Sequence, residues 1–278
     1  MKRIDTPPPL PERPIDGHKG LFGRVLIVGG SEDMLGAPVL AGTAALRMGS
    51  GLVQIAVPGA ILASALSITP ELIGLGLDKS SNQRSLLEAV ERADVLVVGP
   101  GLGQSPGSKT RVLRLIRIDK PMVIDADALN ILASQKRWPG AFKAQAVLTP
   151  HPGEMKRLAR LIGERDLPID DEGRIQFAAR AATDFGQIIV LKGHRTIVTD
   201  GDRVFVNQTG DSSLSKAGTG DVLSGMIGSL IGQGMDLFDA ACAGVHLHGR
   251  AGEIAGKKLG RRSVLARDVI ETLSAVLS

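Results

Sequence analysis

Residues 95–103 read Val-Leu-Val-Val-Gly-Pro-Gly-Leu-Gly. Four apolar residues without alternation are the pattern of a strand covered on both faces. The glycines behind them end the strand and let backbone come close to whatever sits at its carboxyl end. The same pattern recurs along the chain. Strands are expected at 24–28, 53–57, 94–98, 122–125, 146–148, 188–191, 196–199 and 204–206. Helices are expected at 37–48, 83–92, 108–116, 153–161, 172–185, 221–231, 238–255 and 266–277, with a further short one after 53–57. Alternation of this kind implies βαβ units and a mostly parallel sheet between helical layers, an α/β fold. The exception is 196–199 with 204–206, which Asp200-Gly201-Asp202 joins as a hairpin. Residues 1–16, with prolines at 7, 8, 9, 11 and 14, read as an extended arm, and 17–278 as one domain.

Composition narrows the function. At 278 residues, 43% hydrophobic and 22% charged, the chain is of globular type. Six Phe, one Trp and no Tyr leave few stacking platforms for single-stranded nucleic acid. A net charge of +4 is mild, so no nucleic-acid partner is expected. The densest basic run, Lys257, Lys258, Arg261 and Arg262, reads as a solvated helix end. A lone Cys242 excludes a disulfide framework and a cysteine zinc site, and fits a reducing, cytoplasmic setting. The polar N-terminus lacks the apolar core of a secretory leader. Residues 48–70 are uncharged, yet Gln54 and Pro58-Gly59 make them a strand and a short helix rather than a membrane span, and no membrane partner is expected.

Ligands of open α/β sheets bind outside the carboxyl ends of the strands. The segments there are Gly-Gly-Ser-Glu-Asp-Met-Leu-Gly-Ala (29–37), Gly-Pro-Gly-Leu-Gly (99–103), Asp-Ala-Asp-Ala-Leu-Asn (125–130), Thr-Pro-His-Pro-Gly-Glu (149–154) and Lys-Gly-His-Arg-Thr (192–196). The strongest single segment, Ala-Gly-Thr-Gly-Asp at 217–221, opens an apolar helix. Its glycines let amides converge on an anion, and the helix N-terminus adds partial positive charge. Asp221 can deprotonate a hydroxyl held beside that anion, with the dipole expected to lower its pKa; a plain N-cap is the other reading.

Taken together, these segments resemble the anion hole of the ribokinase-like superfamily and, more narrowly, the ADP/ATP-dependent NAD(P)H-hydrate dehydratase family. The resemblance is carried by Lys19-Gly20, Gly23-Arg24, Gly36-Ala37, Ala44-Ala45-Leu46-Arg47, Gly-Ser-Gly-Leu-Val at 49–53, and the segments 99–103, 125–130, 149–154, 192–193 and 218–225. It spans about residues 17 to 275, in the family's order. It implies a ribokinase-like three-layer sandwich. It implies repair of damaged nicotinamide cofactor: the C6-hydrated forms of NADH and NADPH are phosphorylated at the hydroxyl by ADP, then lose phosphate, with AMP released and Mg²⁺ expected on the nucleotide. It also implies a homo-oligomer, often a tetramer, and, because residues 1–16 leave no room for an epimerase domain, an epimerase on a separate chain. A vitamin-precursor or hydroxyethylthiazole kinase of the same fold is the rival enzyme. A nucleotide sensor without turnover is the non-enzymatic alternative.

Residue by residue, the resemblance makes Asp221 the base and a substrate contact, and gives the amides of Gly218, Thr219 and Gly220 to the phosphoryl group. Ala37 and Gly103 border the hydrate, and His151 contacts it unless it is a satisfied loop histidine. Lys192, Gly193, His194, Arg195 and Thr196 hold the nucleotide, with Arg195 alternatively a surface residue. Glu154 matches half of an Asn-x-x-Glu metal motif whose Asn position is His151, so it reaches Mg²⁺ only through water. Asp125 and Asp127 either face the site or cap a turn. The chain departs from the pattern at Leu35, where an aromatic is common, and at Thr-Gly-Asp-Ser-Ser-Leu-Ser-Lys-Ala (209–217), where many members resemble Thr-Gly-Asn-Pro-Gly-Met-Ala-Thr-Gly. Asp211 and Lys216 thus bring opposite charges near the anion hole, Lys216 as a possible aid to phosphate binding.

Overall fold

Alternation within apolar strands builds the sheet and both of its cores. Val25, Ile27, Val95, Val97, Val123 and Val147 face one helical layer, while Leu26, Val28, Leu96, Val98, Met122, Ile124 and Leu148 face the other. The computed structural model describes residues 1–77, 82–135 and 137–277. Its strands are β1 (Lys2–Ile4), β2 (Arg24–Val28), β3 (Leu52–Val57), β4 (Ile73–Gly76), β5 (Val95–Val98), β6 (Met122–Ile124), β7 (Ala146–Leu148), β8 (Ile188–Leu191), β9 (Ile197–Thr199) and β10 (Arg203–Val206). They form one sheet in the order β1-β10-β9-β8-β7-β6-β5-β2-β3-β4. Pairing is parallel except at β9, which runs against both β8 and β10 as the expected hairpin requires.

The helices are α1 (Gly36–Arg47), α2 (Gly59–Ile68), α3 (Asn82–Arg92), α4 (Pro106–Leu115), α5 (Asp127–Ala133), α6 (Pro152–Ala159), α7 (Asp171–Phe185), α8 (Thr219–Gly232), α9 (Leu237–Leu259) and α10 (Ala266–Glu271). Helices α1, α2, α8, α9 and α10 pack on one face and α3 to α7 on the other, giving three layers. No helix of the described residues is long and apolar enough to cross a membrane.

Four elements differ from expectation. β4 reads Ile-Gly-Leu-Gly, whose glycines erase the strand pattern, and it forms by pairing with β3 at the sheet edge. The start of the expected arm is β1, a polar edge strand that pairs in parallel with β10. Residues 125–130, read as a loop, enter α5 after two residues. At the C-terminus the expected 266–277 helix divides into α10 and a 3₁₀ turn, Thr272–Ala275. Helix α9 runs four residues past its expected end, to Leu259, and the other element ends move by a residue or two.

Strand order sets the site. From the neighbouring pair β2 and β5 the chain winds outward in both directions, through β3 and β4 on one side and β6, β7 and β8 on the other. A crevice therefore opens at the carboxyl ends of these strands. Helix α8 aims at it because α1 and α8 pack backbone to backbone. A Cβ on Gly225 would lie 2.0 Å from the carbonyl oxygen of Ala41, so any larger residue would push these helices apart.

Candidate active site

The loops leaving β6, β7 and β8 bring Asp125, Glu154 and Lys192 together. Lys192 Nζ stands 2.8 Å from Asp125 Oδ1 and 3.8 Å from Glu154 Oε2. Asp125 is only 1% exposed, so its carboxylate is an interior partner and not a surface one. The ammonium also comes within 3.5 Å of the place a Cβ on Gly220 would occupy, which puts it at the N-terminus of α8. Burial opposes its charge, but Asp125 and Glu154 outweigh burial and raise the Lys192 pKa.

Ala126 holds this arrangement with a strained backbone, φ 51° and ψ −121°. The reversal sends the carboxylates on either side of it to different targets. Asp125 goes to Lys192, and Asp127 Oδ2 accepts from the Gly103 amide at 2.9 Å. Asp125 is thus bound to a lysine side chain, and Asp127 fixes the 99–103 loop. Gly103 lies on the turn that meets α1. A Cβ on Gly101 would stand 3.0 Å from Ala37 Cβ, so the 99–103 turn packs against the start of α1.

Gly218 caps α8 at φ 91°, a left-handed conformation that suits glycine. The Thr219 hydroxyl ties the turn down by donating to the carbonyls of Leu214 and Lys216 at 2.8 and 2.9 Å. The first intrahelical bond runs from the Val222 amide to the Gly218 carbonyl at 3.1 Å, so the Gly220 and Asp221 amides precede the helical ladder. Asp221 lies in this first turn. Its carboxyl pKa is pushed up to about 7, by burial first and then by the negative charge of Asp125, with Lys192 opposing. This corrects the expectation from the helix dipole, because desolvation and a neighbouring carboxylate outweigh half a charge at a helix end. Burial also raises Glu154 to about 7.

His151 is the N-cap of α6. Its Nδ1 accepts from the Gly153 amide at 2.9 Å, and Glu154 Oε2 accepts from the His151 amide at 2.7 Å, a reciprocal capping box. With Nδ1 occupied as acceptor, the ring proton belongs on Nε2. Burial, then Lys192 and Arg157, lower the imidazole pKa and keep it neutral. The side chain is still half exposed, so the cap leaves it able to meet a ligand.

A cleft of about 590 Å³ runs from Lys192 along the residues 193–196, past Thr219 and Gly220, to Thr209, Gly210 and Val245. It gathers the whole expected nucleotide segment with two of the three anion-hole residues; Gly218 stands behind it as the cap. Arg195 takes φ 56° and pairs with Asp171, and the His194 carbonyl accepts from Arg174 at 2.9 Å, which fixes the loop's path. Sequence reasoning missed His248 on this wall. It is buried, desolvation lowers its pKa to about 4, and Nε2 has no hydrogen-bond partner among the described residues. Its signal was the small-residue face of α9, in step with Val245, Gly249 and Gly252. Lys216, weighed as a phosphate ligand, donates instead to the Arg262 carbonyl at 2.6 Å.

Among the described residues no group of three or more metal-ligating side chains converges. Asp125 is engaged by Lys192 and Glu154 by His151. Such a donor set suits a cation carried mainly by phosphate oxygens and water.

The comparisons agree with this geometry. A family described as NAD(P)H-hydrate dehydratase matches residues 25–275. The chain is 42% identical over 277 residues to the bifunctional NAD(P)H-hydrate repair enzyme Nnr of Moorella thermoacetica, covering 96% of this chain and 52% of that one. It is 38% identical to the ADP-dependent (S)-NAD(P)H-hydrate dehydratase of Neisseria meningitidis serogroup B, covering 88% and 81%. The ADP/ATP-dependent NAD(P)H-hydrate dehydratase of Bacillus subtilis, co-crystallised with ATP/Mg²⁺, superposes with a TM-score of 0.81 at 30% identity, covering 96% and 93%. This chain thus spans about half the length of the bifunctional relatives it matches. Matched along nearly its whole length and built on the ribokinase-like fold, the chain belongs to the NAD(P)H-hydrate dehydratase family.

Proposed function

We propose that the protein dehydrates the C6-hydrated forms of NADH and NADPH at the expense of ADP, regenerating the reduced cofactor and releasing AMP and phosphate. The observation that carries this reading is a base and an anion site in one place: Asp221, with a pKa of about 7, beside the N-terminus of α8 and Lys192. Asp221 takes the proton of the hydrate hydroxyl as its oxygen attacks the β-phosphoryl of ADP and AMP leaves. The amides of Gly218, Thr219 and Gly220 and the Lys192 ammonium stabilise the charge of the phosphoryl in transit. Phosphate is then a good leaving group where hydroxide was poor. The ring nitrogen lone pair expels it, and loss of a proton from the adjacent carbon restores the dihydropyridine. Ala37, Gly103 and His151 position the hydrate, and residues 192–196 hold the nucleotide. Mg²⁺ would neutralise phosphate charge and polarise the phosphoryl, with Glu154 holding it through water.

The assay is direct. Pure protein, hydrated NADH, ADP and Mg²⁺ are mixed, and the NADH absorbance band is followed, with ATP in a parallel cell. Recovery of the band with formation of AMP is expected. No recovery with either nucleotide, alongside phosphorylation of a vitamin alcohol, would overturn the reading in favour of a small-molecule kinase. The (S) in the Neisseria relative's name supports a stereospecific reaction, which makes an enzyme interconverting hydrate epimers the functional partner. A cytoplasmic homotetramer is the inferred form: reduced, buried Cys242 suits the setting, and exposed Leu21, Ile68 and Ile73 offer apolar contact surface, with light scattering on the eluted protein as the check.

A further inference from the structure

Two features of the sequence remain without a role: the charged pair Asp211 and Lys216 on the loop before the anion hole, and the basic run at the end of α9. The structure joins them. Asp211 Oδ2 lies 2.7 Å from Arg261 Nε, and Lys216 Nζ donates to the Arg262 carbonyl at 2.6 Å. Asp211 is itself anchored, because its Oδ1 accepts from the Ser213 amide at 2.9 Å and from the Ser213 hydroxyl. The loop and the turn are therefore clasped at two points, and the clasp holds the Arg261 guanidinium at one fixed edge.

That edge belongs to the nucleotide cleft. Asp211 and Arg261 both line it, and both also line a second recess of about 810 Å³, which shares none of residues 192–196 or 219–220. The pair thus stands on the wall away from Lys192 and the anion hole, where the base of a nucleotide anchored by its phosphates would lie. Nucleobases need a flat surface to stack on, and no Phe, Tyr or Trp occurs among the described residues that line the cleft. Arg195 is the other guanidinium there, but it belongs to the phosphate-side loop and is turned to Asp171. Arg261 keeps two-thirds of its side chain exposed, so its plane is open to a ligand. A guanidinium held edge-on by a carboxylate presents its face for stacking on an aromatic ring.

We infer that Arg261, oriented by Asp211, is the stacking surface for the nucleobase of the bound nucleotide and a determinant of its affinity. The inference rests on the reading of this cleft as the ADP site. The charge of Arg261 is largely answered by Asp211, so the plane of the guanidinium carries the interaction. Lysine in its place keeps the charge and loses the plane.

The test is calorimetric titration with ADP of the full-length protein and of Arg261→Lys, Arg261→Ala and Asp211→Asn. Inorganic pyrophosphate serves as a competitor that has phosphates and no base. Arg261→Lys and Arg261→Ala are expected to weaken ADP binding about five- to tenfold. Asp211→Asn, which frees the guanidinium to wander, is expected to weaken it about two- to threefold. Pyrophosphate affinity should stay at the wild-type value in all three. Wild-type ADP affinity in Arg261→Lys would overturn the inference and leave the ADP site standing. A loss of pyrophosphate in step with ADP would overturn it too, by making Arg261 a phosphate ligand. If the wild-type protein binds no ADP, the reading of the cleft fails together with this one.

Discussion

Asp221 receives opposite instructions from its helix and from its neighbours. The amide dipoles of α8 favour the carboxylate, while burial and Asp125 favour the acid and prevail, setting the pKa at about 7. As the proposed base, Asp221 must be deprotonated to work, so kcat/KM for the hydrate should rise with pH and level off above about 7, because that parameter reports the free enzyme. A profile flat from pH 5.5 to 8 would exclude Asp221 as the base. Asp221→Asn should lower kcat about a hundredfold or more while ADP affinity stays within severalfold, since the amide leaves the phosphate cradle intact. Stability should move the other way. Between its ordinary value near 3.8 and about 7 the folded carboxyl binds more protons than the unfolded one. Its contribution to stability is therefore complete below that window and lost as pH rises through it. Asp221→Asn should raise Tm by ~2–5 °C at pH 8 and leave it unchanged near pH 4, as melting curves at the two pH values would show. The dipole was legible in Gly-Thr-Gly-Asp, but the desolvation and Asp125 come from tertiary packing, so the sequence gives the wrong sign.

At the scale of elements, the site depends on where α8 begins and how deeply it is set. Gly218→Ala forces an L side chain into φ 91° and brings a Cβ within 2.7 Å of Leu40 Cδ1. A cost of ~1–2 kcal/mol is expected, with weaker ADP binding because the amides behind the cap shift. Gly225→Ala probes depth instead: its Cβ would meet the Ala41 carbonyl, which is backbone and cannot swing aside. A loss of ~3 kcal/mol in urea unfolding is expected, larger than at Gly218. The reverse order of the two would mean that the α1–α8 contact is looser than the geometry requires. The opening of α8 was readable because glycine and threonine precede a long apolar run. Helix α5 was not, since it has seven residues and follows a strained Ala126 whose conformation no propensity favours. The same Ala126 explains why the Asp125–Lys192 pair could not be read: the partners are 67 residues apart and meet only through that reversal.

For the whole molecule, the order of the layers was readable because every central strand is apolar on both faces; the two edges were not, because edge strands lack that signature. β4 carries two glycines, and β1 is Lys-Arg-Ile, with Lys2 opposite Arg203 and Ile4 opposite Phe205. What β1 does follows from its position. It covers β10, whose Val204, Phe205 and Val206 are buried, and it places two cations on the outermost strand, where charge discourages pairing with another chain. The arm behind it is tied back by Arg13, which donates to the Gly49 carbonyl at 2.8 Å and lies 3.8 Å over the Phe22 ring. Deleting residues 1–4 should therefore leave the catalytic centre intact but uncover the ladder groups of β10. Wild-type kcat is expected for freshly purified truncated protein, with concentration-dependent self-association by light scattering and a Tm lower by a few degrees. A second variant, Lys2→Glu with Arg3→Glu, keeps the strand and reverses its charge, and should stay at the wild-type oligomeric state. If the truncated chain neither associates nor melts earlier, β1 does not protect the sheet edge.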